Sequence, residues 1–146
     1  MSDALNGKPP TLFWVIGAVL LLWNFTGLMI YYDQVTMTPE VLAANFSAAQ
    51  QEFMAQTPVW ATAAYATAVT AGVIGAAFLL FRKALALPFF ILSFAAVLIQ
   101  DFEAFVLSDA IGAWGSGALT LPAIVIVICV FEIWYTRSAK AKGWLT

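Results

Sequence analysis

Four long apolar stretches, separated by short polar breaks, dominate the chain. The first covers residues 12–32 and follows a polar tail that contains Pro9-Pro10. At about 1.5 Å per residue it reaches roughly 31 Å, enough to cross a hydrocarbon core. A cleavable signal would have a shorter apolar centre and a small-residue cleavage site, so this stretch reads as an uncleaved span. The second stretch opens at Pro58 and covers 58–81. The third covers 84–107, with Pro88 near its first turn, where a missing N–H does little harm. The fourth covers 118–135. A basic Arg82-Lys83 turn separates the second from the third, and a Gly-rich turn from Gly112 to Gly117 precedes the fourth.

Between the first two stretches the pattern changes. Thr38-Pro39-Glu40 has the features of a helix start: a hydroxyl cap, proline in the first turn and an acid near the positive end of the helix dipole. Leu42, Phe46, Ala49 and Phe53 then recur at helical spacing. The expected element is an amphipathic helix over 38–54 that lies on the membrane surface or caps the bundle. The pattern as a whole predicts an all-α fold, a four-helix transmembrane bundle in one domain (1–146) with an extra amphipathic helix between spans one and two.

Composition reinforces this. Of 146 residues, 63% are apolar and 10% charged, with a mean hydropathy of +0.92. A soluble domain carries about 25% charge, so the lipid bilayer is the expected partner. The chain has no histidine, which removes the commonest proton shuttle and metal ligand. Its one cysteine, Cys129, cannot form an intrachain disulfide. Neither a phosphate-binding Gly-rich loop nor a mid-span lysine for a retinal Schiff base occurs, and six basic residues against a net charge of −2 leave no surface for nucleic acid. Nothing calls for a metal or another cofactor, and no nucleophile–base spacing points to an enzyme.

Charge also sets an orientation. With four spans, Lys8, Arg82, Lys83, Arg137, Lys140 and Lys142 all fall on one side, and Asp33, Glu40, Glu52 and Asp109 on the other. The positive-inside rule then puts both termini in the cytoplasm, and the amphipathic helix and Gly-rich turn outside. Trp14, Tyr31, Tyr32, Trp60, Trp114, Trp134 and Tyr135 fall where interfacial aromatic belts belong.

Polar residues inside the spans are the candidates for chemistry. Asn24 is near the middle of the first span and shares a face with Gly17 and Tyr31, with Gly27 beside them. It either bonds a neighbouring helix or lines a polar path. Gln100, Asp101 and Glu103 form the sharpest cluster. Asp101 and Glu103 are about 200° apart on a regular helix, so they face different grooves, whereas Gln100 and Glu103 share a face. Intramembrane acids point to function by default, although these are close enough to the interface for a structural or water-exposed role. Tyr65 and Thr62 lie at the same depth, which gives an outward-facing polar vestibule. Glu132, one turn from the cytoplasmic end of the fourth stretch, reads as a structural acid that snorkels to the interface or pairs with Arg137, Arg82 or Lys83. Ala64, Ala68, Gly72 and Ala76 recur every fourth residue, a small-residue ridge for close helix packing within the chain or in a homodimer.

Several segments also carry a resemblance: LLWN at 21–24, GLM at 27–29, YYDQVTMTPE at 31–40, TPVWATA at 57–63, Pro88-Phe89-Phe90 with Ser93, and AKAKGWL at 139–145. Together these resemble a family of small four-helix bacterial inner-membrane proteins, largely uncharacterised and often labelled sugar transporters. The resemblance implies a multi-pass bacterial inner-membrane location and supplies no catalytic or binding residues.

Two functions compete. One is a non-enzymatic accessory or interaction protein, assembling as a homo-oligomer or within a larger membrane complex. The other is a small-solute transporter or channel acting as an oligomer, with a path along Asn24, Tyr65, Gln100, Asp101 and Glu103. The orientation is testable by cysteine labelling. In intact cells an impermeant maleimide should react with a cysteine at Asp109 and not with one at Lys83; the reverse result would invert the topology.

Overall fold

A computed structural model describes residues 7–146; positions 1–6 of the polar tail lie outside the described residues. Of the described residues, 83% are helical. In order, the elements are α1 (Thr11–Val35), α2 (Pro39–Asn45), α3 (Ala48–Gln56), α4 (Val59–Leu80), α5 (Ala86–Phe102) with a π-helical turn (Glu103–Leu107), α6 (Ala110–Trp114), a 3₁₀ turn (Ser116–Leu119) and α7 (Thr120–Ala141). The four long segments are each apolar and long enough to cross a membrane, so the chain is a multi-pass membrane protein. The fold class is the one the apolar pattern predicts.

α4 is the centre of the packing, against α5 on one side and α1 on the other, and α7 packs on α5. Small residues allow this. Ala64, Ala68, Gly72 and Ala76 are all buried, so the ridge is used within the chain. A Cβ on Gly75 would lie 2.9 Å from Cδ1 of Phe90 on α5, and one on Gly17 would lie 2.6 Å from Cδ2 of Leu80. At Gly27 the same atom would make an ordinary 3.6 Å contact with Val69, so no close approach depends on that glycine.

The amphipathic segment is two helices, not one. Phe46 leaves α2 in an extended conformation, and Ser47 restarts the chain with a capping box to Gln50. The local bonds of Ser47 compete with a continuous helix. Leu42, Phe46 and Phe53 are half-buried and Ala49 is exposed. The Phe46 ring meets Trp114 of α6 edge-on at 5.8 Å, which fastens this hairpin over one end of the bundle. That end carries Asp33, Glu40, Glu52 and Asp109, and is called the acidic end below.

The opposite, basic end is closed. Phe13, Leu20, Ala76, Leu79, Ala86, Phe90, Ala139 and Leu145 form one apolar core there. The fourth helix runs past the expected Tyr135 to Ala141. Gly143, at φ 73°, then turns the chain. Its N–H donates to Lys140 O and that of Trp144 to Ala139 O, each at 3.0 Å, which is a Schellman ending. The last residues fold back on the α4–α5 corner. Ala84 N–H donates to Thr146 O at 2.8 Å, and Thr146 N–H to Arg82 O at 2.7 Å. The Arg82 guanidinium donates to Trp144 O at 2.8 Å and also to Gly7 O, tying both ends of the described chain to one corner. Charge-assisted hydrogen bonds contribute about 1.5–3 kcal/mol each. Arg82→Ala should therefore lower the melting temperature in detergent and make the peptide after Ala141 susceptible to protease, whereas Arg137→Ala should do neither.

Candidate functional site

In the acidic-end half of the bundle the four long helices separate around a cavity of about 240 Å³. Every one of them contributes: Trp23, Asn24 and Gly27 from α1, Tyr65 and Ala68 from α4, Ser93, Gln100 and Asp101 from α5, and Pro122 and Cys129 from α7. Thus Asn24, Tyr65, Gln100 and Asp101, four of the five path candidates read from the sequence, line one space. Tyr65 is steadied by Tyr31, whose ring meets it edge-on at 5.1 Å. Gln100 and Asp101 are consecutive, about 100° apart on the helix, and the cavity is wide enough to receive both.

Glu103 is not part of this lining. The residue is 3% exposed; its carboxyl accepts from the Ser108 hydroxyl, while its carbonyl accepts from Ser108 N–H at 2.8 Å. That wider loop is the π-helical turn. It begins where α5 ends at Phe102 and leaves Glu103 a self-contained partner.

The floor of the cavity rests on one contact. Asn24 Nδ2 donates to Glu132 Oε1 at 2.5 Å and to Leu20 O at 2.9 Å. Both side chains are buried, Glu132 to 1% exposure. The expected pairing of Glu132 with a basic residue at the cytoplasmic end therefore gives way to an amide partner. The reason is helix length: α7 extends nine residues past Glu132, about 13 Å, which puts the carboxyl at mid-depth. Room for the Asn24 side chain is made by Gly72, where any Cβ would collide with its carbonyl oxygen. Beside it the Ser93 hydroxyl donates to Ala68 O at 2.7 Å. Below this level α1 and α7 also meet through Phe13 and Tyr135, stacked at 6.3 Å.

The mouth of the cavity has a different character. α4 and α5 form its back wall. The exposed lining residues are Thr26 and Ile30 on α1 and Leu121 on α7. The opening is therefore a slot between α1 and α7, on the side of the bundle that faces lipid. Leading inward from it, the walls are mostly aliphatic: Ile30, Val69, Val97, Leu121 and Val125. Asp101 is half-buried behind them, and its Oδ2 is shielded and accepts no hydrogen bond. Trp23, Ser93 and the Asn24–Glu132 bond were not singled out as site features by sequence reasoning. Trp23 adjoins Asn24, and Ser93 shares the face of Gln100, so spacing carried a signal for both.

The chain matches no family model, no curated protein and no solved structure.

Interhelical hydrogen bonds in membrane proteins contribute about 0.6 kcal/mol on average and up to about 1.7. A double-mutant cycle with Asn24→Ala and Glu132→Ala should give a coupling near or above that average, measured by reversible unfolding in mixed micelles. A coupling of zero would remove the pair as the floor of the site.

Proposed function

We propose that this chain is a non-enzymatic accessory protein of a bacterial inner membrane, with both termini in the cytoplasm, that holds a small ligand in the outward half of its bundle. The observation that carries the reading is the cavity itself. Four helices each contribute to one concave space that is mainly apolar, with a few convergent polar groups, the usual make-up of a small-molecule site. Its volume lies just below the roughly 300–1,000 Å³ of pockets for drug-sized ligands, which suits a compact ligand. The closed apolar core at the basic end supports binding from one side over passage through the chain. The exposed α2–α3 hairpin supplies a surface for a larger membrane complex.

Solute transport is the second reading, and one observation favours it. Thr136 lies one turn beyond Glu132, fully buried, with a hydroxyl that has no hydrogen-bond partner. Polar groups thus continue past the floor toward the basic end, and a parting of α1 from α7 would join them to the cavity. The resemblance to proteins labelled sugar transporters supports the same reading.

Reconstitution separates the two. Under the accessory reading, the pure protein in proteoliposomes gives no counterflow of radiolabelled glucose, and extraction in mild detergent brings down a stoichiometric membrane partner. Counterflow that Asp101→Ala abolishes, with insertion unchanged, would establish transport instead.

A further inference from the structure

The chemistry of the walls narrows the ligand, on the premise that the cavity is a binding site. We infer that it takes a small organic cation with an apolar body, delivered from the lipid through the slot between α1 and α7, its charge held against Asp101 between the rings of Trp23 and Tyr65.

Charge is the first ground. Among the described residues, Asp101 is the acid in the cavity lining above the floor, and no lysine or arginine lines the space. Its Oδ2 is shielded and has no donor. A shielded carboxyl oxygen without a partner is costly, and a ligand that supplies positive charge removes the cost. The second acid, Glu132, has its donor in Asn24. The second ground is aromatic. Trp23 and Tyr65 both line the space, and aromatic faces attract organic cations, indole most of all.

A bare metal ion does not fit these walls. Hard cations take six or more oxygen donors, and no group of three metal-ligating side chains occurs among the described residues. An apolar body is required instead, because the wall is mainly apolar, with Ile30, Val69, Val97, Leu121 and Val125 among its residues. Access follows the same logic. The exposed rim residues Ile30 and Leu121 are aliphatic and lie on membrane-spanning helices, so the path from lipid to Asp101 suits an amphiphile.

Two probes that differ in one atom test the charge. Benzyltrimethylammonium carries a quaternary nitrogen, and neopentylbenzene has carbon in its place. With the full chain in nanodiscs, benzyltrimethylammonium should raise the melting temperature saturably and bind at least about tenfold more tightly than neopentylbenzene. Loss of a buried charge partner weakens binding by at least that factor, so Asp101→Asn should remove the difference between the probes. Glu103→Gln, outside the cavity, should preserve it. A bulky Ile30→Trp at the rim should slow association of the cation.

Equal binding of the two probes, or a charge preference that survives Asp101→Asn in a folded protein, would overturn the cation assignment while leaving the cavity a small-molecule site. Saturable binding of glucose without binding of either probe would overturn it in favour of a neutral hydrogen-bonding ligand. If benzyltrimethylammonium, neopentylbenzene and glucose all leave the melting temperature unchanged, the cation assignment fails. If a cavity-filling Val97→Trp variant also retains partner capture or counterflow, the binding-site reading fails with it.

Discussion

A carboxyl group at mid-depth in a four-helix bundle must have a donor, and in this chain Asn24 is that donor. The constraint runs through the architecture. Donating to Glu132 draws α1 to α7, the two long helices that flank the packed pair α4 and α5. The amide can reach across only because position 72 has no side chain. Below the bond the helices close on an apolar core, and above it they diverge around the cavity. One polar contact thus divides the molecule into a closed half and an open half. Buried polar pairs add little net stability in a membrane, but leaving either partner alone there costs more than the pair gains. The pair consequently fixes where the helices meet more than how tightly they do.

Much of this was legible in the sequence because the bilayer imposes simple rules. Apolar length gave the four spans, and the grouping of bases and acids gave two chemically distinct ends. The four-residue recurrence of Ala64, Ala68, Gly72 and Ala76 marked the face that other helices approach, and those positions are buried. Depth reasoning from antiparallel spans brought Tyr65 near Asp101, and both line the cavity.

What escaped the sequence has physical causes. The fourth helix continues through Arg137 and Lys140, where hydropathy falls but helix propensity does not. Ending it at Tyr135 put Glu132 too close to the surface and gave it the wrong partner. The π turn after Phe102 depends on a five-residue loop closed by Ser108, which no 3.6-residue periodicity encodes. The break at Phe46 depends on local bonds of Ser47 and Gln50 that overrode a continuous stripe of Leu42, Phe46 and Phe53. Gln100 and Asp101 both reach the cavity because it spans more than one helical face, a property of the whole bundle rather than of α5.

The corner at Arg82 has a consequence for biosynthesis. Its partner Trp144 lies 62 residues later in the chain. At the usual elongation rate of about 5–20 residues per second, roughly 3–12 s separate their synthesis. During that interval the second and third spans can already be inserted, while the guanidinium between them has the earlier-made Gly7 carbonyl, lipid phosphates and water as partners. The nascent hairpin is thus held at the headgroups by the same arginine that later receives the segment at Trp144, so this corner is completed well after the two spans it joins.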